Sequence, residues 1–79
     1  MNHLEEQKYL NKLGKRLKEL RTEKGLTQSQ CGVDDRTIRR IENDGEIFNP
    51  SYLTLVEIAN GMGTSLNELL NFDWWNYCF

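Results

Sequence analysis

Leu10, Leu13, Leu17 and Leu20 recur at steps of three, four and three, which places them on one face of an α-helix. This is the strongest periodic signal in the chain, and it fixes a long helix at its start. Nothing between His3 and Tyr9 forbids a beginning as early as His3. Gly25 is expected to end it, with Lys24 in the last turn, where the helix dipole favours a cation. Lys15, Arg16, Lys18, Glu19 and Arg21 lie between the leucines and are expected to face water or a partner.

The remaining apolar groups are short and closed by glycine-containing corners. Thr27 reads as a helix N-cap. Only Gln28, Ser29, Gln30 and Cys31 follow it before Gly32, which leaves room for a single turn. Gly32-Val33 is a tight corner. Asp34 is the next N-cap, and Asp35 falls in the first turn, where negative charge is stabilised. Ile38 and Ile41 form an i, i+3 apolar pair, and Asn43-Asp44-Gly45 ends that helix. Pro50 is expected in the first turn of a fourth helix, with Leu53, Leu55, Val56, Ile58 and Ala59 as its apolar stripe and Gly61 and Gly63 at its close. Ser65 and Glu68 make a Ser-x-x-Glu capping box for a fifth, whose core face is Leu66, Leu69 and Leu70. Five helices joined by short corners, with no strand, predict a compact all-α bundle. A helix, a glycine corner and a basic second helix is an arrangement that fits a major groove.

Charge supports that direction once its distribution is considered. The net charge is −2, yet all ten Lys and Arg lie between Lys8 and Arg40. Residues 1–40 hold six acids against those ten bases, a surplus of four positive charges, while residues 41–79 hold six acids and no base. A chain so polarised can present a basic face.

Other functions find no support. Seventy-nine residues allow one small domain. No apolar run approaches the roughly 20 residues of a membrane span, and the acidic start does not read as a secretory signal. Cys31 and Cys78 make neither a disulfide framework nor a Cys-x-x-Cys pair. With His3 as the sole histidine there is no zinc ligand set, so reduced thiols and a cytoplasmic location are expected. Gly61-Met62-Gly63 lacks the preceding strand and the third glycine of a nucleotide loop. No nucleophile–base pair or carboxylate pair marks an enzyme. No cofactor, metal or small-molecule ligand is indicated.

Several motif blocks, in order, resemble the phage-repressor (Cro/XRE-type) helix-turn-helix family. They are Leu13-Gly14-Lys15-Arg16-Leu17-Lys18-Glu19-Leu20-Arg21, Glu23-Lys24-Gly25-Leu26-Thr27-Gln28, Gly32-Val33, Thr37-Ile38 and Arg40-Ile41-Glu42-Asn43. Asn49-Pro50-Ser51, Leu55, Ile58-Ala59 and Thr64-Ser65-Leu66-Asn67-Glu68-Leu69-Leu70 complete the set. The resemblance implies a five-helix, lambda-repressor-like domain over residues 13–70, with 1–12 extending the first helix and 71–79 forming an aromatic tail. Two features depart from the family. The interval between Gln28 and Gly32 is short by about four residues, roughly 6 Å of helix or slightly more than one turn, and loses the leucine and alanine that normally pack the second helix. Cys31 is then the side chain expected to tie that segment to the core. The loop Asp44 to Asn49 is also longer than usual.

The resemblance implies sequence-specific binding of double-stranded DNA by a transcriptional regulator, expected to be a repressor acting as a homodimer on two half-sites. Gln28, with Thr27, Lys15 and Lys18, would contact phosphates. Asp35, Arg36, Arg39 and Arg40 would face bases, the arginines favouring guanine; Asp35 would accept from cytosine N4 or support the helix start. Arg21 and Glu42 resemble the family's internal ion pair. The alternative is a protein-interaction module derived from such a domain, its DNA binding lost with its second helix. Beyond the family pattern, Phe72, Trp74, Trp75, Tyr77 and Phe79 crowd the last eight residues. Such a cluster is expected to be covered, either by its own domain or by a second copy, with a slight preference for the second copy.

Overall fold

The structure, a computed structural model, describes residues 3–43 and 48–72. Helix α1 spans His3–Glu23, α2 Asp35–Asn43, α3 Tyr52–Gly61 and α4 Leu66–Leu69. No strand occurs among the described residues. Between α1 and α2 lies one 3-10 turn, Gln28–Gln30. Among the described residues the α-helices therefore number four, not the expected five. With only three residues between Gln28 and Gly32, an i→i−4 ladder has no length in which to establish itself, and the tighter 3-10 winding is favoured. The Gln30 N–H donates to the Thr27 carbonyl at 3.1 Å, and the Gln30 side-chain oxygen accepts from the Thr27 N–H at 2.9 Å.

Helix ends follow local chemistry. Gly25, at φ +70°, closes α1: its N–H donates to the Thr22 carbonyl, and the Leu26 N–H donates to the Arg21 carbonyl. This double bond pattern requires a left-handed residue, which glycine supplies. The Asp34 carboxylate accepts from the Thr37 N–H at 2.9 Å and starts α2. Ser51 caps α3, its hydroxyl accepting from the Thr54 N–H at 3.2 Å. Pro50 is therefore not in the first turn but immediately before the cap, with its ring buried. Ser65 caps α4 through the Glu68 N–H; the Glu68 carboxylate lies 3.6 Å from Arg16.

The core is one cluster of Leu13, Leu17 and Leu20 from α1, Ile38 and Ile41 from α2, and Leu55, Ile58 and Met62 around α3, with Cys31 and Leu69. Leu10, Leu66 and Leu70 pack at its edge. Leu53, expected on the buried stripe, is instead 65% exposed. Leu55, Ile58, Ala59 and Met62 set the inward face of α3, and a residue two before Leu55 points away from it. Phe72 packs against Tyr9 of its own chain, ring centroids 5.5 Å apart, so this member of the aromatic tail is covered internally. Trp74, Trp75, Tyr77 and Phe79 lie outside the described residues. Among the described residues no helix is long and apolar enough to cross a membrane.

Two backbone contacts bring the elements closer than side chains would permit. Gly14 of α1 lies against the Ile41 carbonyl of α2. Gly32, at φ +82°, lies against Gly61 of α3, and a Cβ on Gly61 would run into the Gly32 backbone. The corner before α2 is thereby seated on α3. In an open helix, Gly→Ala stabilises by up to about 1 kcal/mol. Here the sign reverses: Gly61→Ala is expected to lower unfolding free energy by about 2 kcal/mol through overpacking. Chemical denaturation of the variant against the parent chain measures it, and a neutral or stabilising result contradicts the contact.

Candidate nucleic-acid interface

Helix α2 is short, and its buried apolar residues are Ile38 and Ile41. Its placement depends on the residue following them. Glu42 sits with its side chain 2% exposed and receives Arg21 in two hydrogen bonds, Nε to Oε2 at 2.8 Å and Nη2 to Oε1 at 3.1 Å. Such a two-pronged pair fixes direction as well as distance. The third prong, Arg21 Nη1, donates to the Leu26 carbonyl at 3.0 Å. Gln28 Nε2 donates to Glu42 Oε1 at 3.2 Å. One carboxylate thus joins α1, the corner after it, the 3-10 turn and α2. The Glu42 partnership holds the Arg21 guanidinium above its ordinary range.

Cys31 is fully buried beneath this network, its thiol donating to the Thr27 carbonyl at 3.4 Å. Burial pushes the thiol up, a nearby Arg21 opposing it. The 3-10 turn itself contributes no buried residue, so Cys31 supplies the apolar anchor beside it.

The outward face of α2 carries Asp35, Arg36, Arg39 and Arg40. Arg36 is exposed. Arg39 Nη2 donates to Asp35 Oδ2 at 2.8 Å, both side chains just over half exposed. The Arg40 guanidinium lies over the Phe48 ring, 4.3 Å from its centroid, a cation–π arrangement that draws it toward the segment before α3. Asp34 makes a cap, and its hydrogen bonds from Thr37 hold the carboxyl below the usual range.

Among the expected phosphate contacts, Gln28 is half-buried and turned toward Glu42. An amide carries two N–H hydrogens, so one remains free beside that bond. The Thr27 and Ser29 hydroxyls face each other at 3.1 Å on the exposed side of the turn. Lys15 and Lys18 are exposed on α1. Arg16, expected to face water or a partner, turns to the end of α4 within its own chain, donating to the Glu68 carbonyl at 3.2 and 2.9 Å. That carbonyl also accepts the Asn71 N–H at 3.3 Å, and a carbonyl oxygen has lone pairs for both donors.

Two partners escaped sequence reasoning. Phe48 gave no signal, because it lies eight positions after Arg40, beyond the reach of helical periodicity. The Asp35–Arg39 pair had one: an acid four residues before a base on a helix. Among the described residues no group of His, Cys, Asp and Glu could hold a metal.

A family model described as helix-turn-helix matches residues 17–69. No curated protein and no solved structure matches the chain.

The Arg21–Glu42 contact generates an asymmetric expectation. Glu42 is the more deeply buried partner, so stranding it is the worse defect. Glu42→Ala should lower unfolding free energy by about 3 kcal/mol, the lower end of what removing one member of a buried pair costs, and Arg21→Ala by more. Thermal and denaturant unfolding of the two variants decide it. Changes under about 0.5 kcal/mol, the range of ordinary surface substitutions, would contradict a structural role for the pair.

Proposed function

This chain belongs to the Cro-type helix-turn-helix family, a family of DNA-binding transcription regulators, and we propose that it represses transcription by binding a specific duplex through α2. The observation that carries this reading is the arginine-bearing outer face of α2, held by the Arg21–Glu42–Gln28 network. Arg36, Arg39 and Arg40 supply cations on a helix narrow enough for a major groove. Arginine pairs bidentately with guanine O6 and N7, so the preferred half-site contains guanine. Gln28 and Thr27 meet a phosphate beside the turn, and Lys15 and Lys18 add backbone attraction along α1. Asp35 belongs to this face through its bond to Arg39.

A single α2 reads only a few base pairs, and two copies on adjacent half-sites extend that to a site of useful specificity. We place the protein in the cytoplasm as a homodimer, the aromatic residues Trp74, Trp75, Tyr77 and Phe79 being the segment that meets the second copy.

Selection of binding sequences from random duplexes tests the reading. Enrichment of a guanine-containing, two-fold-related sequence is expected, with log affinity falling linearly as log salt rises. Arg36→Ala should cost about 1–3 kcal/mol on the selected site and relax preference at one position, whereas Gln28→Ala weakens all duplexes alike. A protein that enriches no sequence, with Arg36→Ala indistinguishable from the parent, contradicts DNA recognition and leaves a protein-interaction module in its place.

A further inference from the structure

We propose that Asp35 is a positioning residue for Arg39, presenting that guanidinium to a guanine, and does not itself read a base. The inference rests on the DNA-binding reading above and specifies how one of its arginines works.

Four observations converge on it. Arg39 Nη2 donates to Asp35 Oδ2 at 2.8 Å across one turn of α2. Both side chains are more than half exposed, and an exposed pair at this spacing contributes little to stability. Fold stability therefore does not explain it, since Ile38, Ile41 and Glu42 already hold α2. Third, the pair is selective. Asp34 is occupied with the Thr37 N–H, Arg40 with Phe48, and Arg36, adjacent in sequence to Asp35, faces another direction around the helix. Fourth, the donor count fits. A guanidinium has five N–H hydrogens; Asp35 takes one, and the rest can serve the O6 and N7 edge of guanine.

The physical gain is preorganisation. A free arginine side chain must lose rotamer freedom when it docks. One already tethered loses less, and its fixed plane favours the base that matches it. When the duplex excludes water from this face, the tether strengthens, because screening falls. An unpaired Asp35 would instead repel phosphates, so the same bond removes a penalty that a bare acid on a reading helix would carry.

The test measures binding to the selected duplex and to each of its single base-pair variants. It compares the parent chain with Asp35→Ala, Asp35→Glu, Arg39→Ala and the double variant Asp35→Ala/Arg39→Ala. Arg39→Ala should erase discrimination at one base pair. Asp35→Ala should weaken discrimination at that same base pair by about 3–10-fold, a part of what a full bidentate contact supplies. Its affinity for an unrelated duplex at low salt should rise, since a negative charge is gone. Asp35→Glu should restore discrimination, and the double variant should match Arg39→Ala. Asp35→Ser replaces Asp35→Ala if thermal melting shows the latter to be partly unfolded. A loss at a different base pair makes Asp35 a reader and overturns the proposal, as does an unchanged specificity profile. A parent chain with no preferred duplex is a separate outcome: it overturns the DNA-binding reading itself.

Discussion

The Glu42 carboxylate is the point on which the rest of this molecule depends. Helix α2 is nine residues long and buries two isoleucines. Two apolar anchors one turn apart hold a helix against a core but leave it free to rock about their line. Arg21 removes that freedom by meeting Glu42 along two parallel bonds, and by gripping the Leu26 carbonyl with its remaining arm. Gln28 adds a bond to Oε1, the oxygen that also accepts from Arg21 Nη2. The direction in which α2 presents its arginines is thus set by a polar device, while burial sets how firmly the helix is held. An isolated buried charge would be costly, but here the carboxylate oxygens have their donors, and no buried side-chain N or O among the described residues lacks a partner.

That device also accounts for how a helix-turn-helix can work with its second helix reduced to one 3-10 turn. A full helix would contribute apolar side chains to the core; the Gln28–Gln30 turn contributes none. Three other contacts replace it. Cys31 fills the space directly after the turn. The Gly32 corner rests backbone to backbone on Gly61. Gly14 lets α1 and α2 approach to main-chain contact at Ile41. The two glycine contacts trade side-chain packing for close approach of the backbone, which suits a chain of 79 residues with little apolar surface to spend.

Much of this was legible in the sequence because it depends on local chemistry. The leucine spacing in α1, the Asp34 and Ser65 caps and the Gly25 close all act within one turn, and the structure places them accordingly. The expected α-helix after Thr27 failed because its four residues cannot sustain the ladder. Leu53 failed because a stripe of adjacent apolar residues does not state its own phase; Ile58 and Met62 decide it. Pro50 failed by one position, since the Ser51 hydroxyl captured the cap. At the candidate interface, the spacing of the arginines was readable, but their partners were less so. Arg16 reaches α4, Arg40 reaches Phe48, and Gln28 turns inward to Glu42. These contacts join residues well apart in the chain, and no local periodicity encodes them.

The central claim is that α2 and the turn before it form the surface that meets DNA. Titration of isotope-labelled protein with its selected duplex, followed by the shifts of backbone amides and arginine Nε groups, tests that claim most directly. The account predicts salt-sensitive changes concentrated at Thr27–Ser29 and Asp35–Arg40, with Tyr52 and Leu53 on α3 unmoved. Changes concentrated at the exposed Tyr52 and Leu53, with the Arg36 and Arg39 signals unchanged, would contradict it.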